Sequence, residues 1–205
     1  MKRVAVFIDA QNTYMDAREQ FFEKTVERTV PRSSGQFDPI KLGELICKKK
    51  PPNCGPEERR LQQVRVYTGR PESFKDPRTY GAHMRQCATW ENKGVIVKAR
   101  TLRYPFNWPN SPAEEKGIDV ALALDFVTLA VDGEYDIGVI ISRDTDLRPA
   151  LEYVMDKNLA SVEVAAWYTS FPRGLSLPGR SVWCHRLAKS DYDAVADYVD
   201  YNIKR

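Results

Sequence analysis

The stretch GVIISRDTDLRPALE, residues 138–152, places two acids, Asp144 and Asp146, directly after an apolar run that ends at Ser142. An Asp or Ser where a strand gives way to a helix is an ordinary N-cap, because the first backbone N–H groups of a helix need acceptors. One such residue meets that need, so the second acid raises the question of a metal. Two further acids stand in comparable places. Asp9 follows the apolar run 4–8, and Asp119 comes two residues after Gly117, where an apolar helical pattern begins. Carboxylates gathered in one crevice repel one another unless a cation compensates or some of them protonate. Oxygen-only ligands without histidine or thiolate suit Mg²⁺ or Mn²⁺ and argue against zinc. Singly, each acid reads as a cap or a surface charge; as a set at element ends, Asp9, Asp119, Asp144 and Asp146 read as a metal site.

The elements that must bring them together are legible as a pattern. Five short β-branched runs, at residues 4–8, 64–68, 95–99, 137–142 and 162–166, are continuously apolar, as strands buried on both faces of a parallel sheet are. Helical patterns lie over 38–50, 76–94, 117–133, 144–158 and 191–205, the first two opened by Asp-Pro. Strands alternating with helices predict a Rossmann-like α/β three-layer sandwich, a mostly parallel five-stranded sheet with helices on both faces. With strands 2 and 3 added on one side of strand 1 and strands 4 and 5 on the other, strands 1 and 4 become neighbours. The crevice at their C-terminal ends is where such sheets bind ligands, and it collects Asp9, Asp144 and Asp146, with Asp119 entering from the strand 3 side. Loops are expected at 31–37, 48–60 and 103–117, the last carrying Tyr104, Phe106 and Trp108 among prolines.

At 205 residues, 42% apolar and 29% charged, the chain has the size and composition of one globular domain, taken as 1–205. The apolar stretch before Asp9 is too short for a signal peptide and no later run is long enough to span a bilayer, so no membrane is expected and the cytoplasm is the expected compartment. Cys47, Cys54, Cys87 and Cys184 are irregularly spaced, which argues against a disulfide framework and for small core thiols. His83 precedes Cys87 by one helical turn and His185 follows Cys184, but there is no CxxC pair and the chain has only 2 histidines, so structural zinc is not expected. Net charge is +3, unevenly spread: residues 41–103 carry 15 Lys and Arg against 6 Asp and Glu, and residues 111–163 carry 4 against 12. Such a split suits a polyanion held over a site that itself needs negative charge, or simply two solvated faces of opposite sign.

VFIDAQN (6–12), KGIDVALALDF (116–126) and ISRDTDLRPAL (141–151) together resemble the three motifs of the NYN domain family, a branch of the PIN-like nucleases that includes the LabA-like group, in the order that family has them. The resemblance spans residues 3–166 and leaves 167–205 as a C-terminal extension and helix. It implies that Asp9, Asp119, Asp144 and Asp146 form the acidic metal cluster, that Asn12 is the asparagine one turn after the first acid, and that Ser142 opens the third motif. Asp125 also falls on a motif position, but it lies about 240° around the helix from Asp119 and is expected to be a supporting or structural acid. Arg143 stands where the family commonly has a small residue, and Leu147 where it has an aromatic. Arg143 is open to two readings, contact with a scissile phosphate or neutralisation of a nearby acid.

The resemblance implies metal-dependent hydrolysis of a phosphodiester, most often in RNA, with DNA as the other polymer. The residues are consistent with it: Asn12 could orient a carboxylate, and the motifs hold no histidine for metal-free acid–base chemistry. Arg70, Lys75, Arg78 and Arg85 after strand 2, with Arg100 and Arg103 after strand 3, are candidates to track a phosphate backbone. Trp108, with Tyr104 and Phe106, is a candidate to stack unpaired bases, against the alternative that these rings pin their loop. Lys48–Lys50 read as a solvated helix end. Residues 168–187 are expected to cross near the rim of the site or to form a partner surface, and PIN-like proteins frequently dimerise, so a homodimer is expected by fold analogy. Two other classes stand beside the nuclease: an RNA-binding or regulatory module without catalysis, which gains nothing from clustered acids, and a metal-dependent phosphatase. A haloacid-dehalogenase-type phosphatase would want DxD where DAQN stands, and no GxxxxGK[ST] loop for a nucleotide triphosphatase occurs.

Overall fold

A computed structural model describes residues 1–22, 30–52, 58–168 and 175–203. Cys54, part of the 48–60 loop and the middle of 168–187 lie outside the described residues. The sheet has six strands, all parallel, in the order β3-β2-β1-β4-β5-β6: β1 (Lys2–Asp9), β2 (Arg59–Arg70), β3 (Ile96–Thr101), β4 (Ile137–Ile141), β5 (Ser161–Trp167) and β6 (Trp183–Leu187). Strands β1 and β4 are neighbours, with Ile8 opposite Ile141, so the residues that follow them open onto one crevice.

Alternate residues of each central strand feed two cores. Val4, Val6 and Ile8 pack with Val64, Val66, Val139 and Ile141 under α1 (Ala10–Phe21), α2 (Pro39–Lys48), α3 (Pro77–Glu91) and α6 (Lys189–Val195). On the other face, Ala5, Phe7, Ile140 and Val164 pack with Ile118, Leu122 and Phe126 of α4 (Ile118–Val131) and Leu151 and Val154 of α5 (Arg148–Asp156). Phe7 and Phe126 meet edge to face with centroids 5.1 Å apart. No helix among the described residues is long and apolar enough to cross a membrane.

Five elements depart from the sequence expectations. The sheet gains β6 where a rim or partner surface was expected. Its inward position is occupied by His185, 2% exposed, whose Nε2 lies 2.7 Å from Glu163 on β5, so a polar pair fills a core position and hides the strand pattern. Arg59 closes the network with two bonds to Glu163 of 3.0 and 2.6 Å and belongs to β2, which begins inside the expected loop. Helix α1 lacks an apolar stripe because its inward face uses Thr13, Asp16 and Ala17. The C-terminal helix ends at Val195 and not at the chain end: Ala196 bridges Phe37, and Asp197 N–H bonds the Gln36 carbonyl. Last, the expected helix 144–158 opens as a 3₁₀ turn, Thr145–Leu147, before α5.

Candidate metal centre

Asp9 is the last residue of β1 and the N-cap of α1, accepting the Asn12 backbone N–H at 3.1 Å. Ser142, just past β4, donates its hydroxyl to the other Asp9 oxygen at 3.1 Å and accepts the Asp144 N–H at 3.1 Å. The Asn12 amide oxygen accepts the Arg143 N–H at 2.9 Å. These bonds stitch the ends of the two neighbouring strands, so the first and third motifs hold each other in place. Asp144 in turn caps the 3₁₀ turn and accepts the Asp146 N–H at 2.9 Å. The third approach comes from α4, whose N-cap Gly117 sits at φ +71, a left-handed conformation that favours glycine, and which carries Asp119 in its first turn.

Asp119, Asp144 and Asp146 each offer a carboxylate oxygen within 4.8 Å of the others. Asp9, 8% exposed, faces Asp119 and Asp144 across a cleft of about 350 Å³. Burial raises the Asp9 pKa above the ordinary carboxyl range, against the Asn12 and Ser142 hydrogen bonds, and the charges of Asp144 and Asp119 raise it further. The four acids expected from the sequence thus reach one crevice, three of them in a tight group.

A fifth acid was missed. Glu115 lines the same cleft and accepts the Gly69 N–H at 2.6 Å; a Cβ on Gly69 would stand only 2.7 Å from that oxygen. The Gln11 amide nitrogen, turned toward Glu115, donates at 3.0 and 3.2 Å. Burial pushes the Glu115 pKa up to about 7, opposed by the Gly69 bond and aided by Asp9 and Asp119. In sequence Glu115 is one of two glutamates in a proline-rich loop, and only its distance of two residues from Gly117 hints at its place.

Other candidates lie elsewhere. Asp125 is held by Arg65 and the Tyr67 hydroxyl, each at 2.8 Å; desolvation would raise its pKa, but these bonds outweigh it and lower it. Asp125 therefore ties α4 to β2. Arg143 pairs with Asp16 and Glu19 of α1, each at 3.0 Å. Arg85 needs a correction: its guanidinium forks onto the Tyr201 carbonyl at 2.8 and 2.6 Å, and it pins the C-terminal segment. Arg70 touches the Thr101 hydroxyl at 3.3 Å, and Lys75 sits 3.5 Å from Glu72 and 4.5 Å over the Tyr104 ring. Arg78, Arg100 and Arg103 are exposed, and the Arg100 guanidinium carbon stands 3.7 Å from where a Gly117 Cβ would be, beside the acid cleft. Trp108 packs edge-on against Tyr104 at 4.9 Å and both are half-buried, whereas Phe106 and Phe74 are exposed. Cys47 and Cys87 are buried, and the Cys87 sulfur lies 3.4 Å from His83.

A structure search finds similarity to the crystal structure of a protein of unknown function from Vibrio parahaemolyticus, 19% identical, covering 95% of this chain and 89% of that one with a TM-score of 0.49. No curated protein matches. The model of the NYN domain family matches residues 3–176, which takes in all three motifs and every acid of the crevice. The chain belongs to the NYN domain family.

Proposed function

We propose that this protein is a Mg²⁺- or Mn²⁺-dependent ribonuclease that hydrolyses phosphodiester bonds of single-stranded RNA, with DNA as the alternative polymer. The observation that carries the reading is the convergence of the Asp119, Asp144 and Asp146 oxygens within 4.8 Å, with Asp119 and Asp144 lining a cleft shared with Asp9 and Glu115. Among the described residues no Lys or Arg forms an ion pair with any of these five acids, so their charge is left for a cation to balance. The donors are all carboxylates, the set that hard divalent cations take. Membership of a family grouped with PIN-like nucleases supports the same reading.

Asp119, Asp144 and Asp146 would hold the cation, with Asp9 as the fourth ligand. When bound, it supplies Lewis-acid stabilisation of charge on the phosphate and lowers the pKa of water. Ser142 fixes the Asp9 carboxylate, and Asn12 holds the backbone turn that carries Asp144. Glu115 stands at the edge of the same cleft, held by the Gly69 N–H. Arg100, with Arg103 and Arg78, supplies exposed cations for the phosphate backbone, and Phe106 and Phe74 supply exposed rings for unpaired bases. The cytoplasm is the compartment this reading expects.

Cleavage of end-labelled single-stranded and duplex RNA and DNA in Mg²⁺, Mn²⁺ and EDTA tests the proposal. Metal-dependent cutting of single-stranded RNA, lost in Asp144→Asn, is expected, and the fragment pattern separates endo- from exonuclease action. Binding without cutting in either metal refutes it and favours a regulatory RNA-binding module.

A further inference from the structure

Next to the acid crevice, a second cleft of about 290 Å³ lies between the ends of β2 and α1 on one side and α3 and the C-terminal segment on the other. Glu115 forms part of the wall of both. We infer that this second cleft is a nucleobase pocket, taking the unpaired base of a nucleotide whose neighbouring phosphate lies at Asp119, Asp144 and Asp146; the inference rests on the reading of that cluster as a phosphodiester site.

The chemistry of the walls selects the ligand. Gln11, Gln36, Gln86 and His83 present amides and an imidazole, and Trp90 presents a large ring whose neighbour Phe37 stacks near-parallel at 6.3 Å. Burial, with the charge of Arg70 adding, lowers the His83 pKa to about 4, so its ring is neutral at pH 7. Among the described residues that line the cleft there is one carboxyl, Glu115, and one guanidinium, the exposed Arg32. Neutral donors and acceptors suit an uncharged heterocycle and would not balance a second phosphate or a carboxylate.

Two atoms in these walls lack partners. Trp90 Nε1, on a residue 5% exposed, and Gln36 Oε1 are buried without a hydrogen bond. Buried polar groups are almost always paired, so an orphaned donor and an orphaned acceptor on two residues that line the cleft call for an explanation. The Watson–Crick edge of every base sets acceptors beside donors, so such an edge can satisfy both groups once the side chains turn to meet it. Both atoms are covered in the ligand-free chain. Gln36 as a residue is only half-buried, and base entry is expected to turn its amide.

The test is fluorescence anisotropy of labelled single-stranded RNA homopolymers of each base, and of an abasic strand, binding to the full chain in Ca²⁺. The wild type is expected to prefer at least one base over the abasic strand by about tenfold, the worth of one or two neutral hydrogen bonds. Gln36→Leu and Trp90→Phe should each remove that preference and leave abasic binding unchanged. If Trp90→Phe fails to fold, Gln36→Leu on the half-buried turn carries the test. Equal binding of all strands by the wild type, or a preference that survives Gln36→Leu, overturns the inference. Competition by nucleoside 5′-monophosphates distinguishes a free nucleotide from a base in a strand as the occupant. The readout needs no cleavage, so a chain that shows base preference but never cuts would sink the nuclease reading alone.

Discussion

Replacing Glu115 by Gln isolates the electrostatic cost of assembling the acid crevice. The change is close to isosteric: the new amide oxygen still accepts the Gly69 N–H, and the new NH₂ meets the carbonyl of Gln11 after that amide turns. What is lost is a carboxyl that burial pushes up to about 7 from its ordinary 4.5. A carboxyl raised in the folded state binds its proton more tightly there than in the unfolded chain. Its cost to stability is therefore absent below pH 4.5, accumulates as pH rises toward 7, and is complete above it. At about 1.4 kcal/mol per pH unit the full cost is about 3 kcal/mol, and about 2 kcal/mol once partial solvent screening is allowed for. That figure already contains the like charges of Asp9 and Asp119, which help to raise the Glu115 pKa. In EDTA at pH 8 the variant should melt higher than the wild type by about 4–8 °C, at about 2–4 °C per kcal/mol for a chain of this size. At pH 4.5 the two should coincide. Melting curves that differ by the same amount at both pH values, or a variant less stable at pH 8, would refute the reasoning.

Further outcomes follow from the same contacts. Ser142→Ala removes a hydrogen bond to a buried carboxylate and leaves the Asp144 N–H without its acceptor, so divalent cation affinity should fall about tenfold or more, read by Mn²⁺ titration. Asp125→Asn breaks the pair with the nearly buried Arg65 and should cost about 2–3 kcal/mol in urea unfolding while leaving cation affinity unchanged; lost cation affinity in a folded variant would return Asp125 to the metal site. Arg100→Ala should weaken RNA binding uniformly across sequences and lower the salt dependence by about one counterion, whereas Arg85→Ala should lower the melting temperature and leave that salt dependence alone.

The crevice was legible because its acids occupy element ends, and the ends of continuous apolar strands are the easiest features of an α/β chain to read. Asp9, Asp144 and Asp146 needed only the neighbouring of β1 and β4, which the winding of the sheet supplies. Glu115 was not legible because a loop with no periodicity positions it, through Gly69 on a different strand. Strand β6 and helix α1 were hidden for a shared reason: each buries polar groups in internal pairs, Glu163 with His185 and Asp16 with Arg143, where a hydrophobic pattern would have announced a core face. Arg85 shows the converse. A cation in a basic stretch reads as a phosphate ligand until the fold supplies it with a carbonyl.

Asp119, Asp144 and Asp146, with Asp9, are the proposed ligands of a divalent cation. Calorimetric titration of Mn²⁺ into the wild type and into Asp144→Asn, without nucleic acid, tests that assignment most directly. Saturable binding to the wild type, weakened at least about tenfold in a folded Asp144→Asn variant, is the result the account predicts. Binding that Asp144→Asn leaves unchanged, or no binding to the wild type, would contradict it.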